Sequence, residues 1–373
     1  MGSVLVRTNS NLQEESSTKN QLSNHLNMNE SDEKTCGDFQ ENTWLYRSGR
    51  FGNGAVGLHN FGVTCCINSV LQTFYMTKEF AHILERFQFL GTGEKEANTP
   101  HQLRNLFDMM QRSKEPNIRP RAFINCLKKN GINDYIQHDA EELFLKFLNL
   151  LNSQMQNQAL AKEITDLYTI RVYEYQQCLQ CSAELKNDSY MYSLPVSIVN
   201  CRTVEDSLIH FFDFETLTGR NMYLCKNCNV DTEKTQGFLL KSLPPILNLN
   251  LKRYSIDRRW FRTMKISNTC EFAEHLDFSK VLSADKLSEC TEKQNELQYE
   301  LFAVVAHSGY SAFYGHYYAC IKIHTKWYKF DDSHVSETSW KDVRNTFGGS
   351  YYCSTAYMLL YRKCPTSPSG TVS

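Results

Sequence analysis

No apolar run in this chain reaches the roughly 20 residues that a membrane-spanning helix needs. Charge of one sign is also missing: 40 Lys and Arg stand against 41 Asp and Glu, a net charge of −1, and no Lys/Arg cluster stands out. A nucleic acid is therefore not an expected partner, since phosphate binding needs a concentrated basic face. The opening Met1-Gly2-Ser3 has Val6 where a myristoylation signal requires Ser or Thr, and no apolar signal-peptide core follows. No internal repeat is evident. Together these absences lead us to expect an intracellular protein, in the cytoplasm and secondarily the nucleus.

What is present reads as globular. Apolar residues at 41% and aromatics at 12% are enough for a sizeable core in one large or two ordinary domains. Fourteen cysteines in an intracellular chain point to metal ligation, catalysis or plain burial rather than to a disulfide framework. Residues 1–50 are too polar to bury enough surface against the entropy of ordering, so a disordered tail is expected there. From Cys65 to about residue 157 the period is helical, with stripes at Phe80, Ile83, Leu84 and Phe87, at Leu103, Leu106, Phe107 and Met110, and at Ala140, Leu143, Phe144, Phe147 and Leu151. Thr99-Pro100 is expected to open the second stripe. From Leu167 to Tyr173 the period becomes two, and strands are expected to dominate from there, apart from a short helix at Val204 to Phe212. Helices first and strands after read as α+β.

Cys65 stands where a loop becomes a helix. Ile67, Val70, Leu71, Phe74 and Tyr75 mark one buried helical face, Thr64 is the expected N-cap, and Cys65 then lies in the first turn. Unpaired N–H groups and the helix dipole favour a thiolate there. A small buried hydrophobe is the other reading of the same cysteine. Further on, Cys178-Leu179-Gln180-Cys181 and Cys225-Lys226-Asn227-Cys228 form two C-x-x-C knuckles separated by 43 residues. Four thiolates in two pairs suit closed, structural tetrahedral zinc; a redox dithiol is the alternative.

The segment from Gly57 to Gln72, with its G-L-x-N-x-G-x-T-C-x-x-N-S-x-L-Q pattern, resembles the cysteine box of the ubiquitin-specific proteases. Gly315-His316-Tyr317 and Phe330-Asp331-Asp332 are similar to that family's histidine box, and the four-cysteine finger falls between the two in the family's order. The resemblance covers roughly residues 54 to 364. It implies a papain-like cysteine protease domain over residues 51–373, with a helical thumb (about 54–160), β fingers of zinc-ribbon type (about 165–240) and a β palm (about 241–364), where Leu243 to Tyr254 supplies a scaffolding strand.

Thiol chemistry needs an imidazole to take and return a proton, and an oxygen acceptor to orient that imidazole. Carried over, the resemblance makes Cys65 the nucleophile, His316 the base and acid, Asp331 its orienting partner and Asp332 a second polar support. Glycine at 315 is expected to let backbone approach the substrate. His307 is a rival read as a structural neighbour, and Cys66 as inert packing. Asn60 matches the oxyanion donor, with a turn-forming asparagine as the alternative. Gln137 and Asp139 match the residues that bind the modifier's Arg-containing tail before Gly-Gly; helix capping by Asp139 is the competing reading.

The implied reaction is thiol-mediated hydrolysis of the bond after a modifier's C-terminal glycine, with ubiquitin-like modifiers and their conjugates as partners. Within the family the short tail, the Cys65-Cys66 pair and Leu167 to Val172 resemble the interferon-induced branch. That implies removal of the interferon-stimulated two-domain modifier and damping of type I signalling through contact with the interferon receptor and its signalling proteins. A general deubiquitinase and a catalytically silent modifier-binding scaffold are the alternatives.

Overall fold

The computed structural model describes residues 54–91, 93–257, 262–311, 314–349 and 354–365. The expected tail over residues 1–50 lies outside the described residues. A short strand β1 (Gly57–Leu58) pairs in parallel with β2 (Asn117–Ile118). Around them come α1 (Cys65–Met76), α2 (Lys78–Glu85), α3 (Thr99–Arg112), α4 (Arg121–Lys129), α5 (Ala140–Gln154) and α6 (Gln158–Asp166). The three expected stripes are buried on α2, α3 and α5, with Phe87 buried just past the end of α2. The cap of α3 differs from expectation: Asn98, not Thr99, is the N-cap, and its side chain accepts from the His101 N–H at 2.9 Å.

The helix α1 departs from the one-face pattern, because all 12 of its residues are buried. It is packed by α2 and α5 on one side and by a large sheet on the other. Buried polar groups are costly unless hydrogen-bonded, and four side chains of α1 place their donors on carbonyls, while Asn68 Oδ1, Gln72 Oε1 and the Tyr75 hydroxyl have no partner among the described residues. Asn68 Nδ2 donates to the Leu58 carbonyl, Gln72 Nε2 donates to that of Val56 at 2.8 Å, and Ser69 and Thr73 donate to carbonyls of α1 itself. The polar residues thus stitch the segment before the helix to the helix.

The strands that follow are β3 (Ile170–Cys178), β4 (Glu184–Met191), β5 (Leu194–Ser197), then, after α7 (Val204–Phe212), β6 (Glu215–Leu217), β7 (Tyr223–Cys225), β8 (Val230–Thr232) and β9 (Lys234–Ser242). After them come β10 (Ile246–Lys252), β11 (Tyr254–Asp257), β12 (Arg262–Lys265), β13 (His275–Asp277), β14 (Gln298–Ser308), β15 (His316–Ile323), β16 (Lys326–Asp331), β17 (His334–Thr338) and β18 (Ser354–Lys363). The first strand begins at Ile170, three residues later than the period suggests. Leu167 and Tyr168 instead follow α6 directly and pack into the helical core.

The large sheet runs β17-β16-β15-β14-β18-β10-β5, with β13 beside β14. Both of its faces are covered. Along β15, Tyr317, Ala319, Ile321 and Ile323 join the core shared with the helices, while Tyr318 and Cys320 join a second core with Val204, Leu208 and Phe212 of α7. Alternate residues on alternate faces are what the pleat dictates. A second sheet, β4-β3-β9-β6, and the β7–β8 ribbon make the finger. The strand β5 lies within the stretch expected to form fingers, but it pairs with β10 in the large sheet.

Arg253, just after β10, is fully buried. Its guanidinium donates to the carbonyls of Ala356, Phe347, Ile266 and Asn268, tying β18 and the chain after β12 to one point. Burial pushes its pKa down.

Candidate active site

The strands β15 and β16 form an antiparallel hairpin, and its open end carries His316 and Asp331. His316 Nε2 lies 2.5 Å from Asp331 Oδ1, and Asp331 Oδ2 accepts from Lys329 Nζ at 2.7 Å. The Cys65 side chain stands close enough to the imidazole to raise its pKa. Packing of α1 across β15 brings the sulfur there, and the Tyr317 N–H donates to Cys65 Sγ at 3.5 Å. Asp331 first, then Cys65, push the imidazole up to about 10, so it is an imidazolium near neutral pH. The same bond holds the Asp331 carboxyl well below the usual carboxylate range. Cys65 and Cys66 are both free thiols, and burial pushes the Cys66 thiol up, which keeps it protonated and inert.

Asp332 does something else. It does not hydrogen-bond to His316; its carboxylate accepts from Asn60 Nδ2 at 2.8 Å and from Asn68 Nδ2 at 2.8 Å. The reason is its place beyond the end of β16, in a left-handed turn (φ 51°) that faces β1 and α1, with its carbonyl accepting from Leu58 N. A Cβ on Gly57 would lie 2.5 Å from the Ser333 carbonyl oxygen, so only glycine admits this turn so close to β1. Thr64 does stand at the N-cap position but makes no side-chain cap. Its N–H and hydroxyl both donate to Asn60 Oδ1, at 3.1 and 3.0 Å, which fixes the orientation of the Asn60 amide.

Gly315 is required to be glycine by the protein's own packing, whatever it does toward substrate. A Cβ there would meet His307 Nε2 at 2.3 Å and the Ser308 carbonyl oxygen at 2.4 Å, so the crowding comes from the protein itself. His307 is 1% exposed, packed against Tyr317 and Tyr357, and pushed down to about 4 by burial, Lys265 and His316. It is neutral. Gln137 Oε1 accepts from the Gly315 N–H at 3.0 Å, while its Nε2 is buried without a protein partner among the described residues. Asp139 caps α5, accepting from the Glu142 N–H at 3.0 Å, and burial raises its pKa. Among the described residues no cation forms a salt bridge with it.

Sequence comparison agrees with this geometry. The model of a family described as ubiquitin carboxyl-terminal hydrolase matches residues 56–361. This chain belongs to that family. It is 38% identical to human "Ubl carboxyl-terminal hydrolase 18" over 85% of this chain and 87% of the relative, and 37% identical to the mouse protein of that name over 83% and 86%. Mouse "Ubiquitin carboxyl-terminal hydrolase 47" is 30% identical over 88% of this chain but only 29% of its own length. The ubiquitin carboxyl-terminal hydrolases of this type are cysteine isopeptidases, so the chain is an enzyme with a thiol nucleophile.

The family's finger carries the second cluster. Sγ atoms of Cys178, Cys181, Cys225 and Cys228 all lie within 4.8 Å of one another, with Cys178 to Cys228 at 4.0 Å and Cys181 to Cys225 at 3.8 Å. A tetrahedral ion with metal–sulfur bonds of about 2.3 Å needs edges of roughly 3.8 Å, so the four sulfurs fit a structural metal. The two knuckles are built alike. Ser182 N donates to Cys178 O and Asn229 N to Cys225 O, at 2.9 and 2.8 Å, and both donors have a φ of 56°. The Thr232 hydroxyl first and then backbone N–H groups lower the Cys178 pKa, and backbone N–H groups of its own turn lower that of Cys225, which favours thiolate at both first sulfurs.

Two outcomes follow from this geometry. Asp331→Asn removes the largest cause of the raised His316 pKa. The imidazolium is present below its folded value of about 10 and lost above it, so the alkaline limb of kcat/KM moves down in pH in the variant. The rate itself falls by roughly 100-fold or more. A pH–rate profile from 6 to 10.5 checks both. At the other cluster, stripping metal with a chelator raises amide hydrogen exchange across the finger while α1 and β15 stay protected. Elemental analysis that finds no metal in a protein with a fully protected finger would contradict the site.

Proposed function

We propose that this enzyme is a thiol-dependent isopeptidase that cleaves after the C-terminal Gly-Gly of a ubiquitin-like modifier, the interferon-stimulated two-domain modifier being its substrate. The Asp331–His316 hydrogen bond, with Cys65 beside the imidazole at the start of α1, carries the chemical half of this reading. The 38% identity to a relative named for Ubl hydrolysis, over nearly the whole of both chains, supports the modifier half. A general deubiquitinase is the second reading, supported by the 30% identity to a protein named as a ubiquitin hydrolase.

In this mechanism the Cys65 thiolate, beside the His316 imidazolium, attacks the terminal glycine carbonyl. Negative charge develops on the carbonyl oxygen, and Asn60 Nδ2, which has a second N–H beyond the one given to Asp332, is the donor for it together with backbone N–H groups at the start of α1. Asp332 then acts by holding that amide. The imidazolium gives its proton to the leaving lysine amine, which departs and leaves a thioester on Cys65. Neutral His316 next takes a proton from water as its oxygen attacks the thioester; the intermediate expels the Cys65 thiolate, which restores the thiolate–imidazolium pair, and the acid product loses its proton to solvent and leaves as carboxylate.

Gln137, beside Gly315, and Asp139, a desolvated carboxylate with no salt bridge, are the residues for the tail and its arginine. Zinc is the metal for the four sulfurs, on the grounds of an all-thiolate closed site. Binding to interferon-receptor signalling proteins and residence in cytoplasm and nucleus belong to this reading through the family resemblance alone.

Electrophile probes built on the C-termini of ubiquitin and of the interferon-stimulated modifier test the assignment. The expected result is a Cys65 adduct formed faster with the second probe; faster reaction with ubiquitin supports the general deubiquitinase, and no adduct with either contradicts hydrolysis. Asn60→Ala should slow turnover of a modifier–fluorophore conjugate by roughly 100- to 1,000-fold, and Asp332→Ala should approach the same loss. Unchanged rates would remove Asn60 from the oxyanion site.

A further inference from the structure

We infer that Lys265 is a positioning residue for His316: its ammonium gathers the end of β14 and the start of the connection to β15, and so fixes where the imidazole stands. The inference rests on the triad reading above. Lys265 Nζ, at the end of β12, lies 3.1 Å from His307 Nδ1, 3.1 Å from the His307 carbonyl oxygen and 2.6 Å from the Gly309 carbonyl oxygen. An ammonium can only donate, so Nδ1 of His307 must accept, and the ring proton of this neutral histidine sits on Nε2. That Nε2 edge lies against Gly315, whose N–H is taken by Gln137. Gly315 immediately precedes His316. The backbone entering β15 is therefore bounded by His307 and the Ser308 carbonyl on one side and by Gln137 on the other, and Lys265 fixes the orientation of the His307 ring.

Lys265 itself has little freedom. Ile266 N donates to the Arg253 carbonyl, and the buried Arg253 guanidinium donates to the carbonyls of Ile266 and Asn268. The ammonium also lies 5.8 Å from the centre of the Tyr357 ring. The anchored chain after β12 thus transmits its rigidity to the histidine loop through one side chain. The Lys265 ammonium bonds to His307 and Gly309, neither of which is assigned to substrate, so Lys265 acts through His316 and not on substrate.

The test compares Lys265→Met with the parent in three readouts: kcat and KM for a modifier–fluorophore conjugate, the unfolding midpoint, and the His316 titration followed by nitrogen-15 NMR of the imidazole. The expected result is a kcat lower by about 10- to 100-fold, the loss that an ångström of misplacement produces, with KM within about threefold by the same reasoning, since binding contacts remain. The His316 titration should move down from near 10, because its contacts with Asp331 and Cys65 loosen. Lys265→Arg, which still donates to the two carbonyls, should recover most of the rate. Should the Met variant not fold, Lys265→Gln, which keeps an uncharged NH2 donor group, is measured in the same way. Unchanged kcat and an unchanged His316 titration overturn the inference, as does an equal fall in stability and rate with no change in the titration. His316→Ala serves as the control: if it hydrolyses conjugate at the parental rate the triad reading itself fails, whereas an inactive His316→Ala beside a fully active Lys265→Met sinks only the role of Lys265.

Discussion

The turn at Asp332 is the contact on which the active-site geometry depends. One residue of positive φ lies at the end of β16 and binds Asn60 and Asn68 with its carboxylate and Leu58 with its carbonyl. Its neighbour Asp331 binds His316. Adjacent residues therefore fix the two halves of the site at once, the imidazole through β16 and the start of α1 through the asparagines. A side chain at Gly57 would push this turn away, which ties the first residue of the cysteine box to the position of a histidine in the far half of the chain. Because α1 is buried on all sides and the sheet on both faces, neither half can shift without disturbing a close-packed core.

The finger follows a different physical rule. Residues of β4 are mostly exposed or half-exposed, and the two hydrophobic cores end before the finger's tip. A thin sheet with so little apolar surface to bury needs a cross-link, and the four sulfurs, which fit a structural metal, lie outside both cores. The route between the knuckles also explains their wide spacing. The chain runs back along β4, contributes β5 to the large sheet, packs α7 against the second core, and returns through β6 and β7. The insertion joins finger and sheet into one connected unit.

Much of this was legible in the sequence, and the misses share a cause. The helical stripes on α2, α3 and α5, the helix α7, the two knuckles and the pairing of His316 with Asp331 follow from spacing or from a resemblance carried by spacing. What the spacing leaves out is set by tertiary structure. The polar residues Asn68, Ser69, Gln72 and Thr73 of α1 each find a backbone carbonyl inside the protein. Thr64 stands at the expected N-cap, but its N–H and hydroxyl go to Asn60 and it makes no side-chain cap. Asp332 hydrogen-bonds to Asn60 and Asn68 and not to His316 because of a left-handed turn, and a lone aspartate gives no sign of its φ. Gly315 also accommodates His307, a neighbour eight positions earlier that strand pairing folds back over it. Each miss is a contact between segments far apart or turned out of register, which local period does not encode.

Charge placement around His316 closes the account of why two histidines so close together behave oppositely. The imidazolium has Asp331 on one side, itself held by Lys329, and the Cys65 sulfur on the other. A further cation without a carboxylate partner of its own would repel it in a partly desolvated setting, where such interactions are strongest. His307 avoids this because it is buried among aromatic rings and because its Nδ1 faces an ammonium, two influences that each disfavour a proton on that nitrogen. Lys329 is a cation in the same cluster, but it is paired with Asp331, whereas a protonated His307 has no carboxylate bonded to it among the described residues. By disfavouring a proton on its neighbour, Lys265 acts on the charge around His316.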